Sequence, residues 1–288
     1  MLLRLAILTT LLALPVLADS PDPEVQRVRL LLRAGEVDKA FNLAEQLVKK
    51  DEKRSDYQHA LGMCYGRRAI DASIFSAVSH AKKCKKAFER AVQLDPSNVD
   101  ARADLLLYYV NAPGIMGGDL AKARSEAGEI AKLDAVKGHV AEATIAQKQK
   151  NQPRAETEYR LALEAEPAKA GSYVPLIGYY IRQKKPAEAV ATCRKGLATL
   201  PDDPLLHYQM ARIASSLGTE LDAGLDHVEK FLAKEAPADG PSWADANWRK
   251  GLILEKQGKK DLAVAAYRLA VKLEPLHQAS KELKRLAS

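Results

Sequence analysis

The sequence predicts an all-α protein, a right-handed α-solenoid of helix-turn-helix repeats with about seven units and a C-terminal capping helix. Three observations predict it. Of the 288 residues, 28% are charged and only 6% aromatic, a well-solvated composition without the apolar density of a sheet core. Segments with the same pattern of small, bulky and turn residues recur along the chain. Several of them close on a proline, which lacks an N–H and stops a helix.

The chain opens on MLLRLAILTTLLALPVLADS. Arg4 supplies one early cation, the run from Leu5 to Leu17 is apolar apart from two threonines, and Val16, Leu17 and Ala18 form a processing site. The apolar run is shorter than the ~20 residues that span a bilayer, and Pro15 stands near its end. The expectation is a secretory signal over residues 1–18, cut after Ala18. The mature chain, residues 19–288, is then expected in the periplasm of a bacterium or secreted, without an integral membrane segment.

Near the C-terminus, GLILEKQGKKDLAVAAYRLAVKLEP places Gly251, Leu254, Gly258, Ala263, Tyr267, Ala270 and Pro275. An earlier stretch, PLIGYYIRQKKPAEAVATCRKGLATLP, sets Ile177, Tyr180, Ala189, Cys193, Gly196 and Pro201 at matching offsets. Small residues at the eighth and twentieth positions let helix A and helix B of a unit approach closely, and a bulky side chain near the twenty-fourth fills the gap to the next unit. These offsets resemble those of the tetratricopeptide repeat, a two-helix unit of about 34 residues. The resemblance covers nearly all of the mature chain and implies a scaffold fold that serves many partners.

Counted by these marks, units begin near Pro21, Ser55, Val99, Val136, Ala170, Pro204 and Ala244. The first keeps only Gly35, Ala40 and Leu47, as a terminal unit with one face in water should. The last is followed, over residues 276–288, by an amphipathic segment expected to cap the stack.

Two units depart from the period. In the second, ten residues beyond the normal spacing separate Gly62 from Pro96. Shared equally between the two helices, they make a protruding hairpin with Ile74 and Phe75 at its tip. That tip either packs on the neighbouring unit or docks a partner. In the third, five extra residues lie before Gly118 in NAPGIMGGDLAKA. Gly118 is then the ordinary turn glycine and Asp119 the N-cap of the next helix. The glycines do not read as a phosphate loop, because no Gly-Lys-Ser/Thr follows and no strand precedes. Both enlarged turns emerge on one edge, so Ile115 and Met116 are expected to touch the Ile74/Phe75 tip.

Catalytic and metal motifs are absent from the sequence. Its histidines never fall three or four apart, no paired-cysteine spacing occurs, and no nucleophile turn is found. The expectation is a protein that is not an enzyme and needs no cofactor. Cys193 falls at a packing position of helix B and should be buried, while Cys64 and Cys84, on opposite arms of the long hairpin, are a possible disulfide.

The formal charge of +7 suits an anionic envelope component or an acidic protein face; nucleic acid is not expected for an exported chain. The resemblance implies that ligands lie in a concave groove at the second, fifth, sixth, ninth, twelfth and thirteenth positions of helix A. At fifth, ninth or thirteenth positions stand Asn111, Arg182, Tyr208, Arg212, Trp248 and Lys256. Aromatic faces among cations suit an extended peptide with acidic and apolar residues. The Lys/Asn clamp by which co-chaperone members hold a C-terminal carboxylate is missing. The alternative function is a carrier of a small molecule or lipid, partnering an envelope transporter.

Overall fold

The computed structural model describes residues 22–237, 240–275 and 277–287; the expected signal segment lies outside them. Every regular element among these residues is a helix. The A helices of the seven units are α1 (Pro23–Arg33), α3 (Ser55–Asp71), α5 (Val99–Asn111), α7 (Ala135–Lys148), α9 (Ala170–Arg182), α11 (Pro204–Leu217) and α13 (Trp243–Lys256). The B helices between them are α2 (Val37–Lys50), α4 (Ile74–Leu94), α6 (Leu120–Leu133), α8 (Gln152–Ala165), α10 (Pro186–Thr199), α12 (Leu221–Leu232) and α14 (Lys260–Leu273). Helix α15 (Ala279–Ala287) follows and packs on α14.

Local chemistry sets the helix starts. The side chains of Asp22, Asn98, Asp119, Asp134, Asn151 and Asp203 each accept a hydrogen bond from a backbone N–H of the first turn. Ser242 and Asp245 form a reciprocal capping box at α13. At the fifteenth position of a unit the chain turns left-handed. Gly35, Gly218 and Gly258 adopt φ of 78°, 70° and 75° there, whereas Lys150 and Lys184 adopt 59° and 54° at the equivalent places.

Packing follows the repeat. Consecutive helices pack pairwise, and A helices also meet the next A helix, as α9 meets α11 and α11 meets α13. The buried side chains form a chain of local clusters, each shared by adjoining units. The small eighth residue is sterically required: a Cβ on Gly251 would stand 2.4 Å from the Tyr267 ring, and one on Gly62 2.5 Å from Phe88.

The departures from the period are resolved unevenly. Helix α3 has 17 residues and α4 has 21, against 14 in most other helices, so the extra length goes mainly into helix B and not equally into both. Ile74 and Phe75 open α4 next to the turn, and their side chains lie outside the described part of the structure. In the third unit the insertion folds as a short 3-10 turn, Gly114–Met116, against α4. Asp119 caps α6, as expected. The left-handed residue, however, is Gly117 at φ 93°, while Gly118 is needed because a Cβ there would stand 1.8 Å from the Ala112 carbonyl oxygen. Ile115 is 84% exposed, contrary to the packing expected of it, whereas Met116 is half-buried; the 3-10 turn itself meets α4, and Gly117 lies against the Lys85 side chain.

The possible disulfide is not formed. Cys64 and Cys84 are free and buried, in different clusters. Cys64 points from α3 toward the first unit, whereas Cys84 packs beneath Gly66 with residues of the third. Burial pushes both thiols, and that of Cys193, up to about 12.

Candidate functional site

The inner wall of the stack is made of A helices, and its charge changes along its length. In the first four units the carboxylates are matched. Asp100 accepts from Lys137 at 2.8 Å and lies 3.6 Å from Arg29, and Asp104 lies 2.8 Å from His59. Residues of this group line a small hollow of about 230 Å³.

Farther along lies a larger cleft of about 620 Å³. Gly171 and Val174 of α9, Leu205, Tyr208, Gln209 and Arg212 of α11, and Asp245 and Arg249 of α13 line it. Counted within their units, these are second, fifth, sixth and ninth positions, the inward-facing set. Arg33, the thirteenth residue of the first unit, lines the same cleft. The stack therefore curls far enough for its first unit to face the fifth to seventh across a common space.

The cations of this region hold neutral acceptors. Arg212 donates to Gln209 Oε1 at 3.2 Å, and Arg249 to the Tyr208 hydroxyl at 3.4 Å and to Ser215 Oγ at 3.3 Å. Arg182 donates to the Tyr159 hydroxyl, at 3.5 Å. Two of them gather over Gly178: a Cβ there would stand at van der Waals distance from both, 3.4 Å from Arg182 Nη1 and 3.5 Å from Arg212 Nη2. Burial, then Arg249, then Arg182 lower the pKa of Arg212, opposed by Tyr208. Asp245 is the anion on the cleft wall, and it is engaged by Ser242 and by His277 at 3.3 Å.

The structure brings together three of the six groove residues expected from sequence: Tyr208 and Arg212 in the cleft, and Arg182 beside it. Tyr208 is less a platform than expected, being 8% exposed and packed on Phe231 with ring centres 5.5 Å apart. Trp248 does not line the cleft. Its ring packs edge-on against His277, with the Arg249 guanidinium 4.3 Å from its centre, and belongs to the cluster beneath α15. Lys256 is exposed near the turn at Gly218, and Asn111 is exposed at the end of α5. Arg33 and Arg249 were missed, although their thirteenth and sixth positions mark both as inward-facing. Also missed was the pairing of His207 with His227, Nδ1 to Nδ1 at 2.8 Å, which joins α11 to α12 across 20 residues of sequence.

No curated protein matches the sequence. A tetratricopeptide repeat model matches residues 244–275, the seventh unit. Among solved structures, the fold resembles yeast Tom70, at 15% identity and a TM-score of 0.59, covering 93% of this chain and 57% of that one. It also resembles human IFIT1, solved as a dimer with m7Gppp-AAAA, at 17% identity and a TM-score of 0.55, covering 93% and 63%. A tetratricopeptide repeat protein from Parabacteroides merdae aligns at 13% identity and a TM-score of 0.52, covering 92% of this chain and 98% of that one. The chain thus spans less than two thirds of Tom70 and IFIT1. At these identities the likeness establishes the fold, an all-helical solenoid of the tetratricopeptide kind.

Proposed function

We propose that this protein is a non-enzymatic scaffold, exported to the bacterial periplasm, that binds an extended segment of a partner protein along its inner wall. Tetratricopeptide repeat proteins generally act as protein-interaction scaffolds. The observation that carries the reading here is the cleft between Arg33 and helices α9, α11 and α13. Apolar Val174, Leu205 and Pro241 share the lining with Gln209, Arg212 and Arg249, a mixture that suits side chains of both kinds on one strand. Export rests on the signal pattern of residues 1–18. A lipid carrier would call for an apolar enclosure, and the charged lining of this cleft favours the peptide reading.

Photo-cross-linking tests it. A benzophenone side chain at Val174, on the cleft wall, should capture a partner in the cell envelope, and tandem mass spectrometry should map the adduct to one continuous stretch. The same group at Lys195, exposed on α10, should not. Capture from Lys195 alone would place the partner on the outer surface and end the groove reading.

A further inference from the structure

We infer that Arg182, Arg212 and Arg249, faced by Arg33, form a subsite for the clustered carboxylates of an acidic segment. The inference rests on the groove reading and names the chemistry of what the groove takes.

Three features point to an external anion. The first is the missing internal one. Among the described residues, no carboxylate oxygen lies within ion-pair distance of Arg33, Arg182, Arg212 or Arg249, while on the same wall Asp100 and Asp104 are paired with Lys137, Arg29 and His59. The contrast lies within one surface, so it does not reflect a chain short of acidic residues.

The second is convergence. Arg182 and Arg212 lie against the bare backbone of Gly178 from two successive A helices, and Arg249 comes from a third. Like charges repel, and Arg212 is half-buried, so its neighbours disfavour its charged form. Packing alone would be served better by a neutral side chain at that place. A bound anion turns the repulsion into attraction, each guanidinium offering paired N–H donors to a carboxylate.

The third is the shape of the lining. Val174, Leu205 and Pro241 adjoin the guanidiniums. A bare inorganic anion leaves this apolar surface wet, whereas an extended chain that alternates acidic and apolar residues covers both. Its alternate side chains recur every ~6.6 Å, and packed A helices lie ~9–10 Å apart, so two or three carboxylates span the arginines of α9, α11 and α13. Arg33 closes over the same chain from the first unit. The ligand therefore joins the two ends of the superhelix.

The test uses the mature chain and an eight-residue peptide in which glutamate alternates with valine or proline. Its glutamine counterpart and inorganic phosphate serve as the other probes, all measured by titration calorimetry at two salt concentrations. The glutamate peptide should bind, weaken as salt rises, and lose at least tenfold in affinity in Arg212→Gln and Arg249→Gln, and several-fold in Arg33→Ala. The ligand-free Arg212→Gln protein should melt at or above the parent temperature, since it sheds a repelled charge. Three results would each overturn the subsite: equal binding of the glutamine peptide; phosphate binding as tight as the glutamate peptide; or an Arg212→Gln protein that melts well below the parent yet still binds. If the peptide fails to bind while Val174 still cross-links a continuous segment, the groove stands and the arginine subsite falls.

Discussion

Acidification should loosen the sixth unit through one buried histidine. His207, 3% exposed on α11, meets His227 of α12 at 2.8 Å. Burial, followed by His227, Lys230 and Lys234, drives its pKa down to about 4, against an opposing pull from Asp202. His227 is lowered as well, by burial, Lys230 and Arg194, with Asp226 opposing. The folded value lies below the unfolded one near 6.5, so the contribution to stability is complete above about pH 6.5 and is lost as pH falls through about 4. At ~1.4 kcal/mol for each pH unit between the two values, the full loss is on the order of 3 kcal/mol, and about 2 kcal/mol is gone by pH ~5. Chemical denaturation at pH ~7.5, ~6.5 and ~5 measures this directly. The parent should lose about 2 kcal/mol more than His207→Leu over that range, and His227→Gln should flatten part of the same slope. Because α11 also carries Tyr208 and Arg212, groove binding should weaken in step with the lost stability. Parallel pH profiles for parent and both variants would refute the reasoning.

Other perturbations probe the repeat and the cleft. Gly251→Ala drives a Cβ into the fully buried Tyr267 ring, 2.4 Å away, and should cost about 1–3 kcal/mol in a urea melt. Lys150→Gly and Lys184→Gly relieve left-handed backbone at φ 59° and 54° and should each raise stability by about 1 kcal/mol; a loss in both would mean those lysines are not strained. Tyr208→Ala should cost about 3–5 kcal/mol because it empties the Phe231 contact, whereas Tyr208→Phe, which frees only the Arg249 donor, should cost about 1; equal losses would show that the ring is not part of the core.

The repeat architecture was legible because its determinants are local. Gly62 and Gly251 mark the close helix crossings, Gly35, Gly218 and Gly258 mark the turns, and Asp119 marks a helix start; each does its work within one unit. The partition of the second unit's insertion was not legible. Residues 67–80 contain no proline or glycine to mark a break, and only the turn at Ala72 and Ser73 decides that α4 takes most of the length. The cysteine pair failed for a related reason: near-symmetry about a hairpin tip fixes height along the helices but not rotation, and Cys64 and Cys84 face opposite neighbours. In the candidate site, position within the repeat matches where the structure puts Tyr208 and Arg212, on the cleft lining, and Arg182, beside it. Trp248 lies off the cleft because His277, from the segment that follows the seventh unit, packs on it and draws the indole into the cluster beneath α15. Pairing of Asp100 and Asp104 with cations of other units, and the absence of such pairing around Arg212, depends on contacts across units that no single repeat encodes.

On the groove reading, a partner's chain runs along the inner wall between the first unit and units five to seven. Hydrogen exchange of residues 19–288, with and without the segment identified by cross-linking from Val174, tests this. Exchange should slow in α9, α11 and α13 together with the end of α1 near Arg33, and stay unchanged in α10 and α14. Protection confined to the B helices, or to the extended hairpin of α3 and α4, would contradict it.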